Sequence, residues 1–239
     1  MKPKYRLPLV FVIAIFLILV VSPQFRSQLF SPSATPTPAP ESTEAQAISL
    51  PSPQKSKGMS VEQALFNRRS RRSFTDEPLT LNHVSQLLWA AQGVTVSWGG
   101  RTAPSAKSTY PLEVYLFVKT IDKLSPAIYH YLPSNHQLAL WLEPLPLDTF
   151  MQSTYHQPTL EQAPAILIIT ADVDRATDPS AAYQESGHAS QNVYLQAESL
   201  KLATVAITNF NASTLKAILK LPEPATVIYL MPLGHPKEE

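Results

Sequence analysis

The chain has 239 residues, which is enough for one large domain or two small ones. Its 19 basic and 18 acidic residues give a net charge of +1, and this argues against a general nucleic-acid binder, because such proteins carry a basic excess. The chain contains no cysteine, so disulfides, zinc–thiolate sites and cysteine nucleophiles are excluded.

The N-terminus has the pattern of a membrane anchor. Residues 1–6 are basic, and residues 7–21 form an uncharged run rich in Leu, Val, Ile and Phe. The length of this run lies between a signal-peptide core and a full membrane span, and no small-residue cleavage site follows closely. We interpret residues 1–26 as an uncleaved single-pass signal anchor, with a cleaved signal peptide as the alternative. The basic residues before the run predict a domain on the non-cytoplasmic side of the membrane.

A tether follows the anchor. Residues 27–57 are rich in Pro, Ser, Thr, Ala and Gln and contain few large apolar residues. Such a composition cannot bury a core, and its prolines favour extended chain. The sequence therefore predicts a disordered linker over residues 27–57 and one folded domain over residues 58–239, which is long enough for a sizeable core.

The predicted domain opens with two helices. Ser60 caps a helix that runs to about Arg68, with Gln63 at the partner position of a capping box. Thr80 caps a second helix, and its apolar stripe ends at Gly93.

An arginine-rich segment joins these helices. Residues 67–74 read Asn-Arg-Arg-Ser-Arg-Arg-Ser-Phe, with four arginines and two serines. A guanidinium group presents donors in a rigid fork that fits phosphate two oxygens at a time. The segment therefore favours a phosphate site; the alternatives are a solvated basic loop or a patch for acidic lipid or nucleic acid.

The later segments alternate between strands and helices. We predict a loop over 94–111, strands over 112–119, 127–132, 137–142, 163–172 and 225–231, helices over 147–156, 186–202 and 213–220, and an extended run over 203–210. Ser213 is the expected cap of the last helix. This order indicates an α+β domain with a mainly antiparallel central sheet flanked by helices.

A group of acidic residues and one histidine suggests a metal site only weakly. The group consists of Asp172, Asp174, Asp178, Glu185 and His188. Its spacing lacks the glycine and the terminal glutamate of a calcium loop, so we interpret it as a solvated loop and predict no metal.

Four blocks of the domain resemble the FMN-dependent nitroreductase-like flavoproteins, in order and at suitable spacing. These blocks are residues 68–74, 101–115, 187–192 and 232–236. They look most like the branch that oxidises azolines in modified peptides, the SagB-type dehydrogenases. The resemblance covers the whole predicted domain and none of the N-terminal tether.

The resemblance implies an FMN bound at the two-fold interface of a homodimer. On the family's pattern, the phosphate and ribityl chain are held by Arg68, Arg69, Ser70 and Arg72. The flavin is lined from the partner chain by Pro104, Ser105, Ala106 and Ser108. The isoalloxazine ring is flanked by Ile207, Thr208 and Asn209.

Two functions remain open from the sequence. The first is an FMN-dependent oxidoreductase with two-electron transfer through flavin N5 and NAD(P)H as a possible donor; no catalytic residue can be assigned. The second is a membrane-tethered, catalytically degenerate flavin-fold protein that binds a partner. Two observations favour the second: Thr208 stands where family members usually carry glycine, and the predicted location outside the cytoplasm separates the domain from NAD(P)H, a cytoplasmic donor. The C-terminus also departs from the family, because only Lys237 can supply the basic residue that many members have beyond the last strand, and both departures bear on FMN affinity.

Overall fold

The computed structural model describes residues 47–56 and 58–237, and its central feature is an antiparallel sheet of seven strands. The strands are β1 (Ile48–Ser49), β2 (Leu112–Val118), β3 (Ala127–Leu132), β4 (Gln137–Leu142), β5 (Ala165–Asp172), β6 (Ala203–Thr204) and β7 (Ala225–Gly234). They lie in the order β1-β4-β3-β2-β5-β7-β6, and every neighbouring pair is antiparallel. The predicted α+β fold with an antiparallel sheet is confirmed.

Helices cover both faces of this sheet. They are α1 (Val61–Asn67), α2 (Leu81–Gln92), α3 (Leu147–Ser153), α4 (Pro158–Gln162), α5 (Pro179–Ser199) and α6 (Ala212–Ile218). A short 3-10 helix spans Ala106–Ser108. Helices α2 and α5 pack on one face and α3, α4 and α6 on the other. Because both faces are covered, the central strands β2 and β5 are almost continuously apolar, and alternate side chains enter the two cores.

The predicted starts of the first two helices are confirmed, but the side chain of Gln63 donates to Asn67 and does not complete the capping box expected at Ser60. The side chain of Ser60 accepts a hydrogen bond from the backbone N–H of Gln63. The side chain of Thr80 caps α2, and His83 completes a capping box by accepting the N–H of Thr80. Helix α2 ends where predicted, at Gly93.

The linker prediction is wrong for residues 47–56. Strand β1 pairs with β4 at the edge of the sheet, and Leu50 is buried in the core beneath it. The backbone N–H of Gln54 donates to the side chain of Gln86 on α2, and that amide donates back to the carbonyl of Gln54. We call residues 48–54 the N-terminal strap. The folded part of the chain therefore includes residues before the predicted boundary at 58.

Three helix boundaries also differ from the prediction. Helix α5 begins seven residues before the predicted Ser186, because Asp178 caps it and Pro179 occupies its first position. The segment predicted as one helix over 147–156 ends at Ser153, since Tyr155 and His156 have left-handed backbone angles. Helix α6 is capped by Asn211 rather than Ser213; the Asn211 side chain accepts the N–H of Thr214 at 3.0 Å.

The predicted anchor, residues 1–26, lies outside the described residues. Within residues 47–56 and 58–237, no helix is long and apolar enough to cross a membrane.

Candidate functional site

The arginine segment lies along the C-terminal half of α5. Glu198 of that helix is buried and forms an ion pair with Arg71, and its carboxylate also accepts the backbone N–H of Arg69 at 3.3 Å. The backbone N–H of Arg71 donates to the carbonyl of Thr204 on β6. The segment is thus held by folded structure on two sides, which argues against a freely solvated basic loop.

Tyr194 connects the arginine segment to the chain that leaves β6. Its hydroxyl oxygen accepts the N–H of Ala206 at 2.7 Å and lies 3.1 Å from the Oγ of Ser70. The guanidinium carbon of Arg68 lies 5.2 Å from the centre of the Tyr194 ring, within the range of a cation–π contact. One aromatic side chain therefore places Arg68, Ser70 and Ala206 together.

Three guanidinium groups of the segment have no carboxylate within 4.0 Å among residues 47–56 and 58–237: Arg68, Arg69 and Arg72. One nitrogen of Arg69 donates to the carbonyls of Phe66 and Arg68, and one nitrogen of Arg72 lies 3.4 Å from the carbonyl of Ser70. Arg69 and Arg72 are exposed, and Arg68 and Ser70 are half-buried. The segment therefore presents positive charge and further N–H donors to a ligand from outside.

Lys237 lies next to the same segment. Its backbone N–H donates to the carbonyl of Ser73 at 3.1 Å, and Pro236 pairs with Phe74. The Lys237 side chain is exposed. The basic residue that follows the last strand is thus close in space to the arginines.

Residues 207–209 leave the sheet beside this cluster. Ile207 is buried and exchanges two backbone hydrogen bonds with Leu230 of β7, whereas Thr208 and Asn209 are exposed. Because Ala206 is tied to Tyr194, this segment passes close to Ser70. The structure therefore brings the predicted residues 68–72 and 207–209 into one region of a single chain.

The third predicted group, residues 104–108, lies at the other end of α5. The hydroxyl of Ser105 and the N–H of Ala106 donate to Glu185 Oε1, at 3.0 and 2.8 Å. Glu185 precedes Glu198 by 13 residues on the same helix, which corresponds to about 20 Å at 1.5 Å per residue. One chain does not bring these residues to the arginine segment.

The loop that carries this group is fixed to helices α2 and α5. Asn192 donates to the carbonyl of Thr102, and Arg101 donates to Gln92 and stacks over the Tyr110 ring at 4.7 Å. Burial lowers the pKa of Arg101.

The acidic residues that weakly suggested a metal site have other partners. Asp178 caps α5 by accepting the N–H groups of Ser180 and Ala181. Asp172 accepts the N–H groups of Asp174 and Arg175 within the turn before that helix. These contacts account for two of the carboxylates as turn and cap residues.

Sequence reasoning missed Tyr194 and Glu198, and it named Glu185 only as a member of the weak acidic group, not as the partner of the 104–108 loop. The only local signal was their position on the longest helix, where Tyr194 and Glu198 are four residues apart and share a face. Glu198 lies within the helix predicted over 186–202, and an acidic residue at a position that such a helix buries is a detectable signal, but its partner is not readable from the sequence. The contact between Glu185 and Ala106 spans 79 residues of chain, and the contact between Tyr194 and Ser70 spans 124.

The family model described as "Nitroreductase family" matches residues 65–235 of this chain. A protein of Methanocaldococcus jannaschii described as a putative nitroreductase is 38% identical over 181 residues, which cover 73% of this chain and 90% of that protein.

Solved structures show the same fold. A putative nitroreductase of Ralstonia eutropha has a TM-score of 0.71 and 29% identity, and the match covers 81% of this chain and 90% of that one. A putative nitroreductase of Desulfovibrio desulfuricans in complex with FMN has a TM-score of 0.58 and 22% identity, covering 76% and 89% of the two chains.

Proposed function

This chain belongs to the nitroreductase family and is an oxidoreductase, and we propose that it uses FMN, with the cofactor phosphate held by the arginine segment. The observation that carries the proposal is the set of three guanidinium groups that have no carboxylate partner among residues 47–56 and 58–237, next to the hydroxyl of Ser70. FMN complexed with the Desulfovibrio desulfuricans protein of the same fold supports this choice of cofactor.

The donor set fits a phosphate group. Arg71 is already neutralised by Glu198, whereas Arg68, Arg69 and Arg72 retain N–H groups that no carboxylate of the described chain occupies. A dianionic phosphate would receive charge-assisted hydrogen bonds from these groups, each contributing about 1.5–3 kcal/mol. Lys237 is close enough in the chain fold to add a further positive charge.

A second copy of the chain would complete the site. Residues 104–108 lie about 20 Å along α5 from the arginine segment of the same chain. If both groups contact one flavin, as the sequence resemblance implies, the loop has to come from another subunit. We therefore propose a homodimer in which each flavin lies between the two chains.

The bound FMN would supply two-electron chemistry at its N5 atom, with NAD(P)H as the proposed donor. The residues of this chain would bind and orient the cofactor: Arg68 and Arg72 through the phosphate, and Thr208 and Asn209 beside the ring. Thr208 is exposed, so a side chain in place of glycine meets no obstacle within the described chain. A finer assignment, to the SagB-type dehydrogenases, rests on the four sequence blocks and remains a proposal.

A purified full-length protein that is yellow and has a flavin absorption spectrum would support the proposal. The double variant Arg68→Ala/Arg72→Ala should lose most of the FMN, whereas Lys123→Ala/Lys220→Ala, which removes the same charge from remote exposed sites, should keep it. Anaerobic addition of NAD(P)H should bleach the flavin band. A colourless wild-type protein that takes up no added FMN would rule the proposal out.

We also propose that residues 1–26 anchor the domain on the non-cytoplasmic side of a membrane. The support is the uncharged run at 7–21, preceded by basic residues. A reporter fused after Glu239, together with N-terminal sequencing of the mature protein, tests both parts. Reporter activity confined to the cytoplasm would overturn the orientation, and a mature N-terminus after residue 21 would overturn the anchor.

A further inference from the structure

Glu185 is a buried carboxylate that none of the predicted roles uses. Its exposed fraction is 4%, and no Lys, Arg or His lies within 4.0 Å of it in the described part of the chain. Its hydrogen bonds come from two neutral donors, the hydroxyl of Ser105 and the N–H of Ala106, and both go to Oε1. Burial of a carboxylate without a cation costs free energy, so a contribution to stability alone does not explain this residue.

The loop that Glu185 holds has an unusual backbone. Three of its non-glycine residues have left-handed φ angles: Lys107 at 52°, Ser108 at 56° and Tyr110 at 46°. Each such residue costs about 1 kcal/mol or more, and the conformation persists only where the surroundings enforce it.

Ser105 transmits the constraint through the loop. Its hydroxyl donates to Glu185 and its Oγ accepts the N–H of Tyr110 at 2.8 Å. The carboxylate thus holds Ala106 directly and the N–H of Tyr110 through one hydroxyl, so that the left-handed residues Lys107 and Ser108 lie between the two held positions. Release of Glu185 would free both ends of the turn.

The held loop borders an open groove. A cavity of about 260 Å³ lies between the loop and the first half of α5, lined by Pro104, Ser105, Gln184, Glu185 and His188 among others. Pro104, Ala106 and Ser108 are exposed in the single chain, so the loop has a fixed shape but an uncovered outer surface. Because the outer surface of the loop keeps one shape and is not covered by its own chain, it can contact a ligand that another subunit binds.

We propose that Glu185 is a positioning residue that presets the 104–108 loop for contact with the flavin of the partner subunit. The inference rests on the proposed function, because the contact it serves is with FMN. Glu185 acts on the flavin ring through the loop, whereas Arg68 and Arg72 act on the phosphate. A change at Glu185 should therefore affect binding of the flavin ring, whereas a change at Arg68 and Arg72 should affect binding of the phosphate.

The first experiment measures the loop without any flavin. Trypsin cleavage of the full-length protein after Lys107, followed by mass spectrometry, reports how often the turn opens. Glu185→Ala should accelerate this cleavage about tenfold and leave cleavage after Lys123 unchanged, because Lys123 lies in a different exposed loop. Glu185→Gln, which keeps an acceptor oxygen, should stay within about twofold of the wild type. Equal cleavage after Lys107 in all three proteins would overturn the inference.

The second experiment measures flavin binding by fluorescence titration with FMN and with riboflavin, which lacks the phosphate. Glu185→Ala should weaken both ligands by the same factor, about tenfold or more, and Glu185→Gln should largely restore both. Arg68→Ala/Arg72→Ala should weaken FMN and leave riboflavin nearly unchanged. Tyr129→Phe, which removes a hydrogen bond to Ser125 at a remote turn, serves as the control for a general loss of stability.

The outcomes separate the two proposals. A wild-type protein that binds neither flavin overturns the proposed function and this inference with it. A wild-type protein that binds FMN together with an unaffected Glu185→Ala variant overturns only the role of Glu185. A Glu185→Ala variant that loses FMN affinity no more than Tyr129→Phe does would reduce the residue to a structural role.

Discussion

The hydroxyl of Tyr194 lies 3.1 Å from the Oγ of Ser70, and its oxygen accepts the N–H of Ala206 at 2.7 Å. This contact joins the longest helix, the arginine segment and the chain that leaves β6. It fixes the spacing between the proposed phosphate donors and the segment proposed to flank the flavin ring.

Tyr194→Phe should weaken FMN binding while the fold persists. The change leaves the N–H of Ala206 and the hydroxyl of Ser70 without this partner, at a cost of about 1–3 kcal/mol, and the affinity should fall about tenfold. Fluorescence titration measures the affinity. Tyr155→Phe is the matched control, because Tyr155 is 58% exposed and its hydroxyl makes no hydrogen bond within the described residues. An unchanged affinity in Tyr194→Phe would contradict the assigned role.

Glu198→Gln should lower the free energy of unfolding by about 1–2 kcal/mol. The substitution leaves the half-buried guanidinium of Arg71 without a counter-charge, next to the backbone N–H of Arg69. Urea unfolding measures the loss. Glu223→Gln, which removes an ion pair with Lys216, should cost less than about 0.5 kcal/mol because Glu223 is 86% exposed. An equal loss of unfolding free energy in the two variants would show that the buried Arg71–Glu198 pair stabilises the protein no more than the exposed Lys216–Glu223 pair does.

The N-terminal strap should be essential to stability. A chain that begins at Lys57 lacks strand β1, the buried side chain of Leu50 and the backbone partners of Gln86. Loss of the leucine burial alone costs about 1.5–3 kcal/mol. The urea midpoint should therefore fall clearly relative to a chain that begins at Ala47, with Leu50→Ala in the longer chain giving an intermediate value. Identical midpoints for the two chains would contradict the assignment of the strap to the fold.

Stability should decrease below about pH 6.5, in part through His136. Its Nε2 donates to the carbonyl of Pro51 at 3.0 Å and lies 2.8 Å from the Oγ of Ser85, and its Nδ1 accepts the hydroxyl of Tyr131 at 2.9 Å. Burial lowers the pKa of His136, and the hydrogen bond to Pro51 offsets only part of this.

The sign of the effect follows from the proton count. Between the unfolded pKa of about 6.5 and the lower folded pKa, the unfolded chain binds a proton that the native protein does not. The contribution of His136 to the free energy of unfolding therefore falls as the pH drops through this window and changes no further below it. His136→Gln should flatten this slope in urea titrations at several pH values. His83, whose pKa is also lowered chiefly by burial, should leave a residual slope. A variant with the full wild-type slope would exclude His136 as a contributor.

Local sequence patterns were sufficient for the fold class and for much of the element order. The apolar runs of β2 and β5, the caps at Ser60 and Thr80 and the stop at Gly93 each depend on neighbouring residues, and the structure has them as expected. The N-terminal strap was missed because its composition is that of a linker. Its order comes from backbone pairing with β4 and from Gln86, contacts that no local pattern contains.

The sequence alone marked the arginine segment as a candidate phosphate site, since the chemistry of four arginines and two serines is readable from residue types. Only the tertiary structure showed that Glu198 neutralises Arg71, that Tyr194 unites Ser70 with Ala206, and that Glu185 holds a loop far from the arginines of its own chain. The physical reason is sequence separation. The residues of α5 that contact the arginine segment or the 104–108 loop lie 79 to 129 residues away from their partners along the chain. Residue types determine which side chains are able to bind a phosphate. The packing of α5 against the arginine segment and the 104–108 loop determines which of those side chains are already paired within the described part of the chain.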